Sequence, residues 1–166
     1  MQLLDSKTVN AQDYRDAMAH YAGHVQLVTT EHEGVRRGVT VTAACSVSDN
    51  PPTVLVCLNR SNENNGIFLE RGYFALNTLA VQHQEMAAAF AGFDNKTADE
   101  RFAMARWDTL VTGCPTLTDA TAVFDCRLFE HKIVATHMIL FGEVVALRET
   151  ESQQALMFLE RTWRTL

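Results

Sequence analysis

Apolar and polar positions alternate from Gly38 onward, with Val39, Val41, Ala43, Cys45 and Val47 set against Thr40, Thr42, Ala44, Ser46 and Ser48. Period two predicts one strand with a buried face and a face turned to something polar. The polar face carries hydroxyls and methyls but no charge. Solvated strand faces carry Lys, Glu or Gln, so this one suits close approach by a flat, polar ligand. Asp49-Asn50-Pro51-Pro52 breaks the strand, because proline lacks an N–H and holds the residue before it extended. Thr53 to Leu58 is a nearly continuous apolar run, the pattern of a strand buried on both faces. It empties into Asn59-Arg60-Ser61-Asn62-Glu63-Asn64-Asn65, dense in side-chain donors.

Upstream, residues 1–9 lack periodicity and read as a mobile arm. Asn10 is placed to cap a helix, and Tyr14, Ala17, Met18 and Tyr21 share the face of that helix that should pack on the core. Gly23 reads as its left-handed stop. Val25 to Thr30 and the segment after Glu31-His32-Glu33-Gly34 form a hairpin, with His24 and His32 as surface residues at its ends. Downstream, Ser61 is a candidate cap for a short helix ending at Gly72, and Tyr73 to Leu79 is a strand. Gln82 to Ala91 reads as a helix stopped by Gly92, and Thr97-x-x-Glu100 is a capping box. Trp107 and Leu110 plug the following segment onto the core, and Gly113-Cys114-Pro115 is a turn. Alternation resumes from Ala122 to Phe129, and His131-Lys132 lies near a reversal into a long strand, about Ala135 to Leu147. Ser152 to Arg164 is expected to close the chain as a helix packed through Leu156 and Leu159. This makes about six strands plus peripheral helices, and antiparallel strands in that number close or stack to remove their edges. The expected fold is mainly β, a single-domain barrel spanning residues 1–166.

Composition narrows the chemistry mainly by exclusion. The chain of 166 residues is 47% apolar and 20% charged, as expected of a soluble globular protein. A net charge of −6 argues against nucleic acid, which is gripped by clustered Lys and Arg. No apolar run approaches the roughly 20 residues that span a bilayer. MQLLDSK lacks the basic and apolar regions of a signal peptide, so the cytoplasm is the expected compartment. Cys45, Cys57, Cys114 and Cys126 form no C-x-x-C pair and read as buried free thiols, with no metal site. The sequence holds no G-x-G-x-x-G, no phosphate-binding lysine loop and no G-x-S-x-G. A bound cofactor is then the natural source of reactivity.

T-x-T-A-x-C-S-V-S-D-N-P-P-T, followed by an apolar strand and N-R-S, resembles the short-chain NAD(P)H:flavin reductases, the reductase components of two-component monooxygenases. Phe90-Ala91-Gly92, Glu100-Arg101-Phe102, Phe124-Asp125-Cys126 and the run from Thr136 to Val144 continue the likeness in the same order, from about Tyr14 to about Leu147. The resemblance implies a flavin-binding split barrel, a Greek-key barrel working as a homodimer with flavin near the subunit interface. It implies FMN, or FAD, as cofactor and NADH or NADPH as electron donor. Flavin contacts carry over to Thr40, Val41, Thr42, Ala43, Ala44, Cys45 and Ser46, and to Cys57, Leu58, Asn59 and Arg60. They carry over equally to Asn64 and Asn65, and to Phe90, Ala91 and Gly92.

His137 occupies the place of the family's G-D-H or G-T-H histidine beside the nicotinamide, although Ala135 stands where glycine is usual. The catalytic assignment falls on His137, as a group that orients nicotinamide or steadies charge on reduced flavin. Two further departures stand out: Asn62 follows N-R-S where relatives have a second serine, and Phe93 follows F-A-G where they place arginine. Lys96 is a candidate substitute for that arginine. The acceptor stays open between free flavin for a partner monooxygenase and a cobalt corrinoid. The corrinoid alternative arises because YRDAMAHYAG, TAACSVSDNPPT, ADERF and F-D-C-R are similar to the corrinoid-reducing members of the family, which take Co(II) to Co(I) in aerobic cobalamin synthesis. A flavin-binding module without turnover is the third reading.

Overall fold

The computed structural model of the chain describes residues 9–151 and 153–166; the expectation of a mobile arm falls almost wholly outside them. Asn10 caps the first helix, α1 (Ala11–Met18), its Oδ1 accepting from the N–H groups of Gln12 and Asp13 at 2.9 and 2.8 Å. The apolar face of α1 does not pack on this chain: Tyr14, Met18 and Tyr21 are all exposed. The helix is fastened by its polar side and its end instead, through an Asp16–Arg161 ion pair and an Ala19 carbonyl that accepts from the Glu160 N–H. Gly23 stops no helix. It opens β1 (Gly23–His24), and a Cβ there would lie 2.7 Å from Thr42 Cβ, so glycine is what lets β1 approach Thr42. His24 is half-buried rather than on the surface, with Nε2 2.9 Å from the Leu79 carbonyl oxygen.

β2 (Gln26–His32) and β3 (Val35–Val41) form the expected hairpin, turned by Glu33 and Gly34, both with positive φ. The alternating stretch is two strands, not one. β3 ends at Val41 and β4 (Ala44–Asp49) begins after a bend at Thr42-Ala43, where the Ala44 N–H turns back to the Thr42 carbonyl at 3.1 Å. The two-residue bend reverses the phase of the side chains. Ala44 packs toward the barrel interior, whereas Cys45 and Val47 point outward, Val47 being 48% exposed. β5 (Pro52–Asn59) is likewise not buried on both faces: Val54, Val56 and Leu58 are buried, while Leu55 and Cys57 between them are half-buried.

Asn62, not Ser61, caps the 3-10 turn Glu63–Gly66 that leads into α2 (Ile67–Arg71), and Gly72 ends α2 with φ of 72°. β6 (Tyr73–Thr78) follows, then a 3-10 turn, Val81–His83, and α3 (Gln84–Phe90). The capping box forms as expected at α4 (Ala98–Phe102): the Thr97 N–H donates to Glu100 Oε2 at 2.7 Å and the Glu100 N–H to Thr97 Oγ1 at 3.3 Å. β7 (Trp107–Thr109) and β8 (Pro115–Leu117) make a small ribbon. β9 (Ala122–Val134) and β10 (His137–Glu149) are the long strands, and they reverse at Ala135-Thr136, so His131 and Lys132 lie within β9.

The chain does not close with a helix. β11 (Leu156–Leu159) and β12 (Thr162–Thr165) pair as a hairpin whose turn residues, Glu160 and Arg161, have φ of 52° and 58°. Both turn residues being left-handed marks the hairpin turn that follows strand twist.

Seven strands form one antiparallel sheet in the order β3-β2-β6-β9-β10-β5-β4. Its edges are consecutive in sequence, and the sheet curls until the Cys57 N–H donates to the Ala43 carbonyl at 2.9 Å beside the bend. Inside it lies one core, centred on Val28, Val56, Leu58, Phe68, Phe74 and Leu140. A second core, with Leu27, Phe90, Phe102, Leu117 and Leu156, fills the space between the outer face and the helices, ribbon and final hairpin.

Candidate functional site

The bend at Thr42-Ala43 is the junction on which the site is built. The outward-facing positions Gly38 and Thr40 of β3 lie under α3. A Cβ at Gly38 would meet the Phe90 ring at 2.5 Å, so α3 docks only because that side chain is absent. Thr40 Oγ1 donates to the Ala87 carbonyl at 2.8 Å, which fixes α3 along β3. The end of α3 then delivers Ala91 and, past Gly92 with its φ of 83°, Phe93 to the slot that Thr42 also lines.

On the other side of the bend, strand pairing extends the same outward band. Ala43 is bonded to Cys57, Cys57 pairs with Ile139, and Asn59 pairs with His137. His137 is exposed at the first position of β10, with Nδ1 2.9 Å from Thr136 Oγ1. Arg60 braces the reversal before it, through its N–H to the Thr136 carbonyl at 3.0 Å and Nη1 to the Ala135 carbonyl at 3.2 Å. Ala135 adopts φ of 48°, the left-handed geometry for which glycine would be usual. Burial first, and neighbouring Cys45 second, push the Cys57 thiol up, so it stays protonated at neutral pH and supplies no thiolate nucleophile.

Strand pairing joins Ala43, Cys57, Asn59 and His137 on one band, while other sequence-predicted residues line separate depressions: Thr40, Thr42 and Ala91 one, Cys45 and Ser46 a second, Arg60 a third and Asn64 a fourth. Thr42, Ala43, Cys45, Ser46, Asn59, Arg60, Asn64, Ala91, Gly92 and His137 are exposed. Val41, Leu58 and Phe90 are buried in the two cores, so their side chains are closed to the surface. Asn65 is 3% exposed and committed internally: its Oδ1 accepts from Arg37 Nε and Nη2, and its Nδ2 donates to the Asn59 carbonyl at 2.9 Å. It holds the loop rather than facing outward. The thiols divide similarly, Cys114 and Cys126 buried as expected but Cys45 exposed. Lys96 is paired with Asp94 at 2.7 Å.

Sequence reasoning missed Phe158 and Trp163. The final hairpin brings them beside Thr40, Thr42, Ala91 and Phe93 around a slot of about 140 Å³. Their rings meet edge to face with centroids 5.1 Å apart. The spacing of Leu156 and Leu159 imitates a helix face; the four consecutive apolar residues from Leu156 to Leu159 were the contrary signal. Among the described residues no group of His, Cys, Asp and Glu is arranged to hold a metal, and no helix is long and apolar enough to cross a membrane.

The chain belongs to the flavin-reductase-like domain family, whose model matches residues 18–166. It is 43% identical over 164 residues to the FMN reductase (NADH) RutF of Yersinia enterocolitica, covering 98% of this chain and 88% of that protein. A putative flavin reductase from Haemophilus somnus superposes with a TM-score of 0.91 at 37% identity, covering 95% of this chain and 100% of that one. BorF, the flavin reductase component of a bacterial two-component tryptophan halogenase, gives a TM-score of 0.86 at 26% identity over 95% of this chain and 98% of its own.

Proposed function

We propose that the protein is an NADH-dependent FMN reductase, an NAD(P)H:FMN oxidoreductase whose product is reduced flavin for a partner oxygenase. The observation that carries the reading is the meeting of the Thr42-Ala43 bend with the Asn59–His137 pair on one outward band. The RutF relative is named an NADH-dependent FMN reductase and BorF a reductase component for a halogenase, which supports both the donor and the use of the product.

The residues present fit FMN. Ala43, exposed at the bend with only a methyl side chain, lets a planar ring approach the backbone, and the bend interrupts the ladder where hydrogen bonds to the polar edge of the ring are needed. Arg60 and Asn64, on the exposed loop beyond β5, are donors suited to a phosphate. When bound, FMN supplies the two-electron chemistry by accepting hydride from NADH. The chain's part is to stack the nicotinamide against the ring and exclude water. His137 donates toward the nicotinamide side or steadies negative charge on the ring. Its Nδ1 is held by Thr136 Oγ1, which leaves Nε2 for the ligand.

A second copy completes the enzyme in this reading. The apolar Tyr14 and Met18 on α1, Tyr21 just beyond it, and Phe129, Ile133 and Val134 on β9 are exposed on one copy, which supports a homodimer. The reading puts the protein in the cytoplasm, where NADH is regenerated.

The test is NADH oxidation by purified protein with FMN, with FAD and with a Co(II) corrinoid. Turnover with FMN is expected. Co(I) formation faster than free reduced flavin accounts for would move the acceptor to the corrinoid. No NADH oxidation with any acceptor would leave only a flavin-binding module. His137→Ala should raise the NADH KM or slow flavin reduction, and wild-type kinetics in that variant would remove His137 from the mechanism.

A further inference from the structure

The slot between the seam and the final hairpin has a composition unlike the rest of the band. Phe93, Phe158 and Trp163 line it together with Val25, Val41, Ala91, Thr40 and Thr42. Phe93 is 71% exposed, a large apolar ring left in the open at the mouth of this slot. Phe158 and Trp163 are fixed from behind, since both pack on the outer core and against each other. The Thr40 hydroxyl is already spent on the Ala87 carbonyl, so Thr42 carries the one uncommitted side-chain hydroxyl of an otherwise apolar lining. The slot, of about 140 Å³, is open on one side, so it can take the edge of a planar ring system without enclosing the whole of it.

We propose that this slot receives the dimethylbenzenoid edge of the flavin, with Trp163 and Phe93 as its ring-contacting residues. The inference rests on the FMN reductase reading and adds the orientation of the ring. Isoalloxazine is polar at its pyrimidine end and apolar at its dimethylbenzenoid end, and the band is divided in the same sense. The bend and the loop beyond β5 offer backbone and side-chain donors; the slot offers three aromatic faces and a methyl. A nicotinamide, with its carboxamide and its positive charge when oxidised, is a poorer match to that lining. Phe93, exposed at the slot mouth, adds contact area and a ring for stacking at the apolar end.

Excited flavin takes an electron from tryptophan only at contact, so Trp163 beside the ring should darken bound FMN. FMN affinity is measured by equilibrium dialysis, and the emission of bound FMN is read separately. Trp163→Phe keeps an apolar ring, so it should retain most of the affinity while the bound flavin brightens several-fold. Trp163→Ala and Phe93→Arg should each raise the Kd for FMN by about fivefold or more. Trp107→Phe removes the other tryptophan, which donates its Nε1–H to the Phe102 carbonyl inside the core, and should leave bound-flavin emission dark. Bound FMN that stays dark in Trp163→Phe would overturn the proposal. So would an altered NADH KM in Trp163→Ala with unchanged FMN affinity, which would make the slot a nicotinamide site. Wild-type protein that fails to bind FMN would instead sink the reductase reading itself.

Discussion

Arg37 spends two donors, Nε at 3.0 Å and Nη2 at 2.9 Å, on the single acceptor Asn65 Oδ1. That commitment fixes the amide so that Nδ2 must face the Asn59 carbonyl, and Asn59 is the residue paired with His137. A half-buried guanidinium on β3 thus sets the end of β5. Arg37→Gln should leave a buried amide poorly satisfied, cost about 1–3 kcal/mol of stability and weaken FMN binding. Thermal melts and flavin titration check both effects. Lysine should rescue only part, because one ammonium cannot reproduce the planar fork. Asp108 presents a case governed by pH. Arg148 first, and Thr116 next after the opposing effect of burial, hold its carboxyl below the ordinary aspartate range. A folded pKa below the unfolded one means the contribution is complete above about pH 4 and is lost as pH falls through the folded value. Asp108→Asn should therefore lower the melting temperature at neutral pH and narrow the gap to wild type as the medium is acidified toward pH 2–3. Denaturation across that range checks the sign.

Elements are positioned by a few close contacts, which makes some of them brittle. Gly38→Ala would drive a methyl into the Phe90 ring, and the ring cannot yield because Phe102 and Trp107 pack on its other sides. The expected result is a loss of about 1–3 kcal/mol together with weaker flavin binding, as α3 lifts from β3. Leu156→Ala, at a fully buried position of β11, should cost about 2–5 kcal/mol and loosen the hairpin that carries Phe158 and Trp163. Urea unfolding measures both. These elements differ in how far the sequence announced them. Asn10, Gly72 and the Thr97/Glu100 box act through local geometry, so residue type alone revealed them. The bend at Thr42-Ala43 has no proline or glycine, and it is imposed by closure of the sheet onto Cys57. The alternation ran through it unchanged although the faces had reversed. The final hairpin was hidden for a related reason: Glu160 and Arg161 adopt left-handed geometry without the Asn or Gly that signals it.

At the scale of the whole molecule, the mainly β barrel and its flavin chemistry were legible because the motifs lie along the seam, where local sequence and site coincide. The aromatic wall was not, because it joins residue 93 to residues 158 and 163 through an outer core that no local pattern encodes. The uncovered apolar side chains of α1 and β9 should place the protein as a dimer in sedimentation equilibrium. A monomer at micromolar concentration would show that one copy carries a whole site. The most direct test of the central claim is made without oxygen, by mixing NADH with equimolar FMN in the presence of a trace of the protein. Rapid loss of the yellow flavin absorbance, matched one for one by NADH consumption, is the expected result. Flavin that stays oxidised at the rate seen without protein would contradict the account.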